Sequence, residues 1–216
     1  MGLRTLEAVM TGLLVACSSP PPSTEDMGSM EDGHDHMAYT APRPGTAADT
    51  ARALDVVHRL RAAIGRYATP ASAESAGYLV RAMAGMQDRH MMHMSRPKSL
   101  AGIGTFDPST PQSLVYRRDE SGQFRLAGAM FVAPRGITED ELDARVPLSV
   151  AHWHRHVDVC RGPKGEMAPR YHQWLTLADC EKAGGRWRPA SHYMIHVMVD
   201  SGDDLAAVFP QRPDSD

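Results

Sequence analysis

Residues 151–160 read Ala-His-Trp-His-Arg-His-Val-Asp-Val-Cys. On a β-strand, successive side chains point to opposite faces, so residues two apart share a face. His152, His154, His156, Asp158 and Cys160 then line one side, and Trp153, Arg155, Val157 and Val159 line the other. A second stretch, residues 191–200, divides the same way. Its odd positions Tyr193, Ile195, Val197 and Val199 are apolar, and its even positions are His192, Met194, His196 and Met198. Two strands that each bury an apolar face and project His or Met from the other call for a sheet. Paired as neighbours, they would bring facing Cβ atoms to about 5 Å.

The rest of the chain supplies helices before that sheet and short helices within it. Leu54, Val57, Leu60, Ile64 and Tyr67 recur at helical spacing, after Asp49 or Thr50 as a cap. Thr69-Pro70 reads as an N-cap with proline at the first helical position, opening a helix to about Met83. His90 and His93, three apart in a Met-rich stretch, would share one face if that segment were helical. From Phe106 onward the signals are mostly β. Ser113–Arg117 and Gln123–Ala133 read as a hairpin. Thr138 to Glu141 is a capping box for a short helix, and Thr176 to Asp179 opens another that carries Cys180. Gly184-Gly185 ends it. The expected fold is α+β: N-terminal helices, then a small, mostly antiparallel sheet with short connecting helices.

The N-terminus has Arg4, a short apolar run from Met10 to Ala16, then Leu14-Val15-Ala16-Cys17 before Ser18, Ser19 and three prolines. This resembles a bacterial lipoprotein signal, in which the apolar stretch is removed and the cysteine becomes the lipidated first residue. The apolar run is far shorter than the ~20 residues of a membrane-spanning helix. The resemblance implies a signal peptide at 1–16, a lipid anchor on Cys17 as the membrane partner, and a place in the cell envelope on the periplasmic side. A flexible tether over 17–48, a domain over 49–210 and a disordered tail over 211–216 complete the layout. With Cys17 acylated, Cys160 and Cys180 form an even pair in an oxidising compartment, where a disulfide is the default. A thiolate ligand at Cys160 is the competing reading.

Further phrases carry a second resemblance: Ala76-Gly77-Tyr78, Gly85-Met86 through His93, Phe106-Asp107-Pro108 with Leu114-Val115-Tyr116, and Leu126 to Phe131. Together they are similar to a loose group of exported bacterial proteins of unknown function. The similarity implies domain limits of roughly 50–200 and places the Met/His segment in the core pattern, but it brings no activity.

Composition narrows the chemistry. Net charge is −3 with no Lys/Arg block, so nucleic acid is not an expected partner. Methionine is abundant, 14 against four Phe. Imidazole is the commonest protein metal ligand, and reduced copper also accepts thioether sulfur. The expectation is therefore a transition-metal site, copper ahead of zinc, for buffering or delivery of the ion. Its candidate ligands are His154, His156, His196, His93, His90, His152, His192 and Met194. A looser capture site in the tether would use His34 and His36. Two alternatives stand beside it. One is a metal-dependent enzyme with Asp158 or Glu181 moving protons. The other is a metal-free envelope lipoprotein whose histidines decorate a solvated face. No hydrolase, haem-attachment or phosphate-loop motif names a reaction.

Overall fold

The computed structural model describes residues 37–80, 91–96, 103–165 and 176–210. The expected signal peptide, Cys17, the tether histidines, His90 and the C-terminal tail lie outside them.

Helix α1 spans Ala47–Ile64. Its cap is Thr46, a few residues before the expected Asp49 or Thr50. The Thr46 side chain accepts from the Asp49 N–H, and the Asp49 carboxylate accepts from the Thr46 N–H. This reciprocal box satisfies two N–H groups that a helix start otherwise leaves without partners. Ala53, Val56, Val57, Leu60 and Ile64 form its buried stripe. Helix α2 spans Pro70–Ser75, with Thr69 as cap. It stops well before Met83 because the chain turns at Gly77, whose φ of +84° lies in the left-handed region that glycine enters without a steric penalty. Helices α3 (Glu139–Arg145), α4 (Leu177–Lys182) and α5 (Leu205–Val208) are short, each opened by a Thr or Asp cap.

Eight strands form one open antiparallel sheet with these helices interspersed. They are β1 (Met37–Tyr39), β2 (Leu79–Val80), β3 (Met91–Ser95), β4 (Ser113–Arg118), β5 (Phe124–Val132), β6 (His154–Arg161), β7 (Arg186–Ala190) and β8 (Met194–Met198). The order is β1-β6-β8-β5-β4-β3-β2, with β7 paired to β6. Strand β1 comes from residues expected in the tether and pairs with His154 to His156. Strand β3 comes from the stretch for which a helical face was considered.

Register fixes what each face carries. Leu114, Tyr116, Ala129, Phe131, Ile195 and Val197 point to the main core, where they join Leu60, Ile64, Leu142 and Trp153. The alternate residues Met91, Val115, Met130 and Met198 pack on the opposite face in a second, smaller cluster. The core aromatics keep their polar tips satisfied. The Tyr116 hydroxyl donates to the Tyr67 carbonyl at 2.7 Å, and the Tyr78 hydroxyl donates to the Pro111 carbonyl at 3.1 Å.

Strands β5 and β8 approach most closely at Gly128, which is opposite Met198. A Cβ there would lie 2.1 Å from the Val197 carbonyl oxygen and 2.9 Å from the Met198 Cα. Only glycine fits without moving backbone. Gly128→Ala should therefore destabilise the fold by about 3 kcal/mol or more. Gly65→Ala, at a helical φ of −53° with nothing within 4 Å of its added Cβ, should be neutral or slightly stabilising. Urea denaturation of the two variants checks the contrast.

Candidate functional site: a buried histidine cluster

His154 of β6 and His196 of β8 share the sheet face opposite the main core, as do His93 of β3 and Met194. Strands β6 and β8 pair at His154 opposite Met194, and His196 is opposite Met130 of β5. Two strands, β5 and β4, lie between β8 and the strand of His93. The cross-strand row leading from His93 runs through Val115, Gly128 and Met198. Gly128 leaves that row without a side chain at its middle. The imidazoles of His93 and His196 are in contact, with Nε2 atoms 3.0 Å apart and ring centroids 5.3 Å apart.

His154 stacks on the other side of His196, 5.4 Å away and nearly parallel at 17°. Tyr39 of β1 lies 5.9 Å from the His154 ring. His154 and His196 are 5% and 9% exposed, while His93 and His156 are half-buried. Burial holds His154 down to about 4, with the neighbouring His156 adding to the effect. His196 is held well below its ordinary value, first by burial and then by His93, His154 and His156. Both rings are neutral at pH 7 because a charged imidazole there would lose its hydration without a counter-charge.

The Nε2 contact requires one ring to donate its N–H and the other to accept on a lone pair. The His196 Nδ1 is buried with no hydrogen-bond partner. A bare lone pair is less costly there than an orphaned N–H. His196 therefore donates through Nε2 to His93. The contact tolerates one added proton, since one ring can remain the acceptor. It does not survive two.

The remaining predicted residues are elsewhere. His152 precedes β6, and its Nδ1 donates to the Thr40 carbonyl at 3.1 Å. His156 is opposite Met37, and its backbone N–H donates to the Ser191 hydroxyl at 2.9 Å. His192 precedes β8 and is half-buried, its basicity lowered by burial and by Arg135. The even-position alternation expected over 152–160 fails at both ends. The strand begins only at His154, and Asp158 takes a left-handed φ of 52°. The residue across from Asp158 in the register is Pro189, which has no N–H for the ladder. Asp158 and Glu181 are exposed, and neither is among the charges that act on His154 or His196.

The expected metal centre is therefore corrected. Among the described residues, no group of three or more His, Cys, Asp or Glu is placed to hold an ion. The copper or zinc cofactor, metal buffering or delivery, the metal-dependent enzyme and the metal-ion partner fall with it. An imidazole lone pair lies in the ring plane, so the nearly parallel rings of His154 and His196 do not aim their lone pairs at one point. His93 and His196 are engaged with each other through Nε2. The sequence placed histidines on one face, but their ring orientations arise from packing.

Cys160 is not a thiolate. It forms a disulfide with Cys180, which joins β6 to α4 with both cysteines fully buried beside Trp187. At Gly185 an added Cβ would lie 2.5 Å from the Cys160 Sγ and 2.8 Å from the Cys180 Sγ, so the turn after α4 passes directly over the bridge.

The sequence reasoning missed the strand character of residues 91–95 and hence the His93–His196 contact. The available signal was the alternation itself, since Met92 and Met94 face the core while Met91 and His93 do not. No family model matches this chain, and no curated protein or solved structure is similar to it.

The bridge closes a sequence separation of 20. Replacing both cysteines with alanine should lower stability by about 3 kcal/mol in the chain-entropy picture. Thermal denaturation of that double variant, beside the parent with and without reductant, measures it. The reduced parent should match the variant.

Proposed function

We propose that this chain is a lipid-anchored domain of the cell envelope whose buried histidine cluster makes its fold respond to acidification. The observation that carries the reading is the Nε2–Nε2 contact between His93 and His196, with His154 stacked against it. Such a cluster holds while its buried rings are neutral and is pulled apart as protons accumulate. Histidine is the side chain whose ordinary titration range covers mildly acidic surroundings.

Two further points support the address. The buried Cys160–Cys180 bridge suits an oxidising compartment. The resemblance of residues 1–19 to a lipoprotein signal, with Cys17 as the acylated residue, suits attachment to a membrane.

The groups that face the cluster are His93 from β3, His154 and His156 from β6, and Tyr39 from β1. Among the described residues, the charges that act on His154 and His196 are other histidines and include no carboxylate. Protonation of His154 or His196 thus adds positive charge beside other histidines.

The sign of the pH dependence follows. Above the ordinary value of 6.5, the rings are neutral in folded and unfolded chains alike, and they leave stability unchanged. Below it, the unfolded chain binds protons that the folded cluster refuses, so stability falls down to about 4, where folded His154 itself titrates. His154 alone should account for about 3 kcal/mol across that window. Thermal denaturation at steps from about pH 8 to about pH 4 tests this. The expected result is a flat melting temperature above 6.5 and a steep decline below it, made shallower by His154→Gln. A profile that stays flat to about pH 4, or a decline of undiminished steepness in His154→Gln and His93→Gln, sinks the reading. Incorporation of labelled palmitate, lost in Cys17→Ser, separately tests the anchor.

A further inference from the structure

The β6–β7 ribbon carries charge that the histidine face does not use. Arg161 of β6 stands directly opposite Arg186 of β7, and Val159 stands opposite Arg188. Three guanidinium groups therefore share one side of two adjacent strands. Cys160 and Trp187, the pair between them in the register, turn to the other side and the disulfide. Arg186 and Arg188 are exposed, and Arg161 is half-buried with its guanidinium donating to the Gly165 carbonyl.

This arrangement works against the isolated fold. Like charges directly opposite each other on antiparallel strands are destabilising. Burial and the proximity of Arg188 both lower the basicity of Arg161. Several other arginines of the domain are ion-paired, as in Arg43–Asp140, Arg61–Asp203, Arg117–Asp200 and Arg125–Asp119. None of the three ribbon arginines has an ion-pair partner among the described residues, although Asp158 is on the same strand. In a chain with a net charge of −3, this is a local accumulation of the opposite sign.

We propose that the Arg161–Arg186–Arg188 ribbon is a docking surface for a membrane bearing anionic phosphodiester headgroups. A guanidinium fork fits phosphate oxygens two at a time, and its charge remains at any physiological pH. A membrane as the source of phosphate rests on the envelope reading above. An anchored domain would meet such a surface at high local concentration.

The test uses the full chain with Cys17→Ser, so that no attached lipid contributes. It is sedimented with vesicles of phosphatidylcholine alone, and with vesicles that also contain about 30% phosphatidylglycerol. Preferential binding to the anionic vesicles is expected, weakening as salt rises from about 50 to about 300 mM. Arg186→Gln/Arg188→Gln should reduce that binding about tenfold or more with an unchanged circular dichroism spectrum. Equal binding to both vesicle types, no binding to the anionic ones, or full binding by the double variant overturns the proposal. Because the vesicles need no lipidation, a failed palmitate experiment beside successful anionic binding would remove the anchor and leave the ribbon standing.

Discussion

A sheet with two unlike faces organises the whole domain, and the constraint that makes it possible is period-two alternation through β3, β4, β5 and β8, interrupted where the β4–β5 register shifts between Val115 and Tyr116. One set of side chains, from Met94 through Leu114, Phe131 and Val197, closes on α1 and the neighbouring helices to make the core. The alternate set has no helix layer among the contacts described and instead packs on itself as Met91, Val115, Met130 and Met198. The histidines belong to this second set. His154 is opposite Met194 and His196 opposite Met130 in the register.

The close approach of β5 and β8 at Gly128 links the backbone to the histidine cluster. Gly128 carries no side chain in the row that runs from His93 to Met198, and on that face the rings of His93 and His196 touch from non-adjacent strands. The consequence is electrostatic. Desolvation keeps the His154 and His196 rings neutral, and the Nε2 of His196 is committed to His93. That cluster has little room for extra charge. The disulfide acts in a different part of the sheet, where β6 has left the main ladder and pairs with β7. There it ties α4 to a two-stranded extension that would otherwise be marginal alone.

Much of the architecture was legible in the residues. Thr138 with Glu141 announces α3 by the reciprocal bonds it goes on to make, and Gly184 adopts the left-handed φ of +74° that its position after α4 suggested. The β4–β5 hairpin and the apolar odd positions of β8 follow from alternation. Residues 37–39 were not legible as a strand. Three residues give no periodicity, and their place in the sheet depends on a partner more than a hundred residues away. The helical alternative failed over residues 91–94 for a related reason, since a spacing of three says nothing until the neighbouring strand is known.

The chain by itself determined a mixed α/β domain with a mostly antiparallel sheet and histidines gathered on one face, because alternation and capping are local and act within a few residues. Tertiary structure decided what those histidines do. Whether imidazoles converge on an ion, bond to each other or stack depends on ring orientation, and orientation is set by strand order and packing. The stretch from Ala151 to Cys160 read as one face with three candidate ligands, His152, His154 and His156, and a cysteine expected in a disulfide. In the fold it becomes a ring bonded to the Thr40 carbonyl, a ring stacked in a neutral cluster, a break opposite a proline and half of a disulfide.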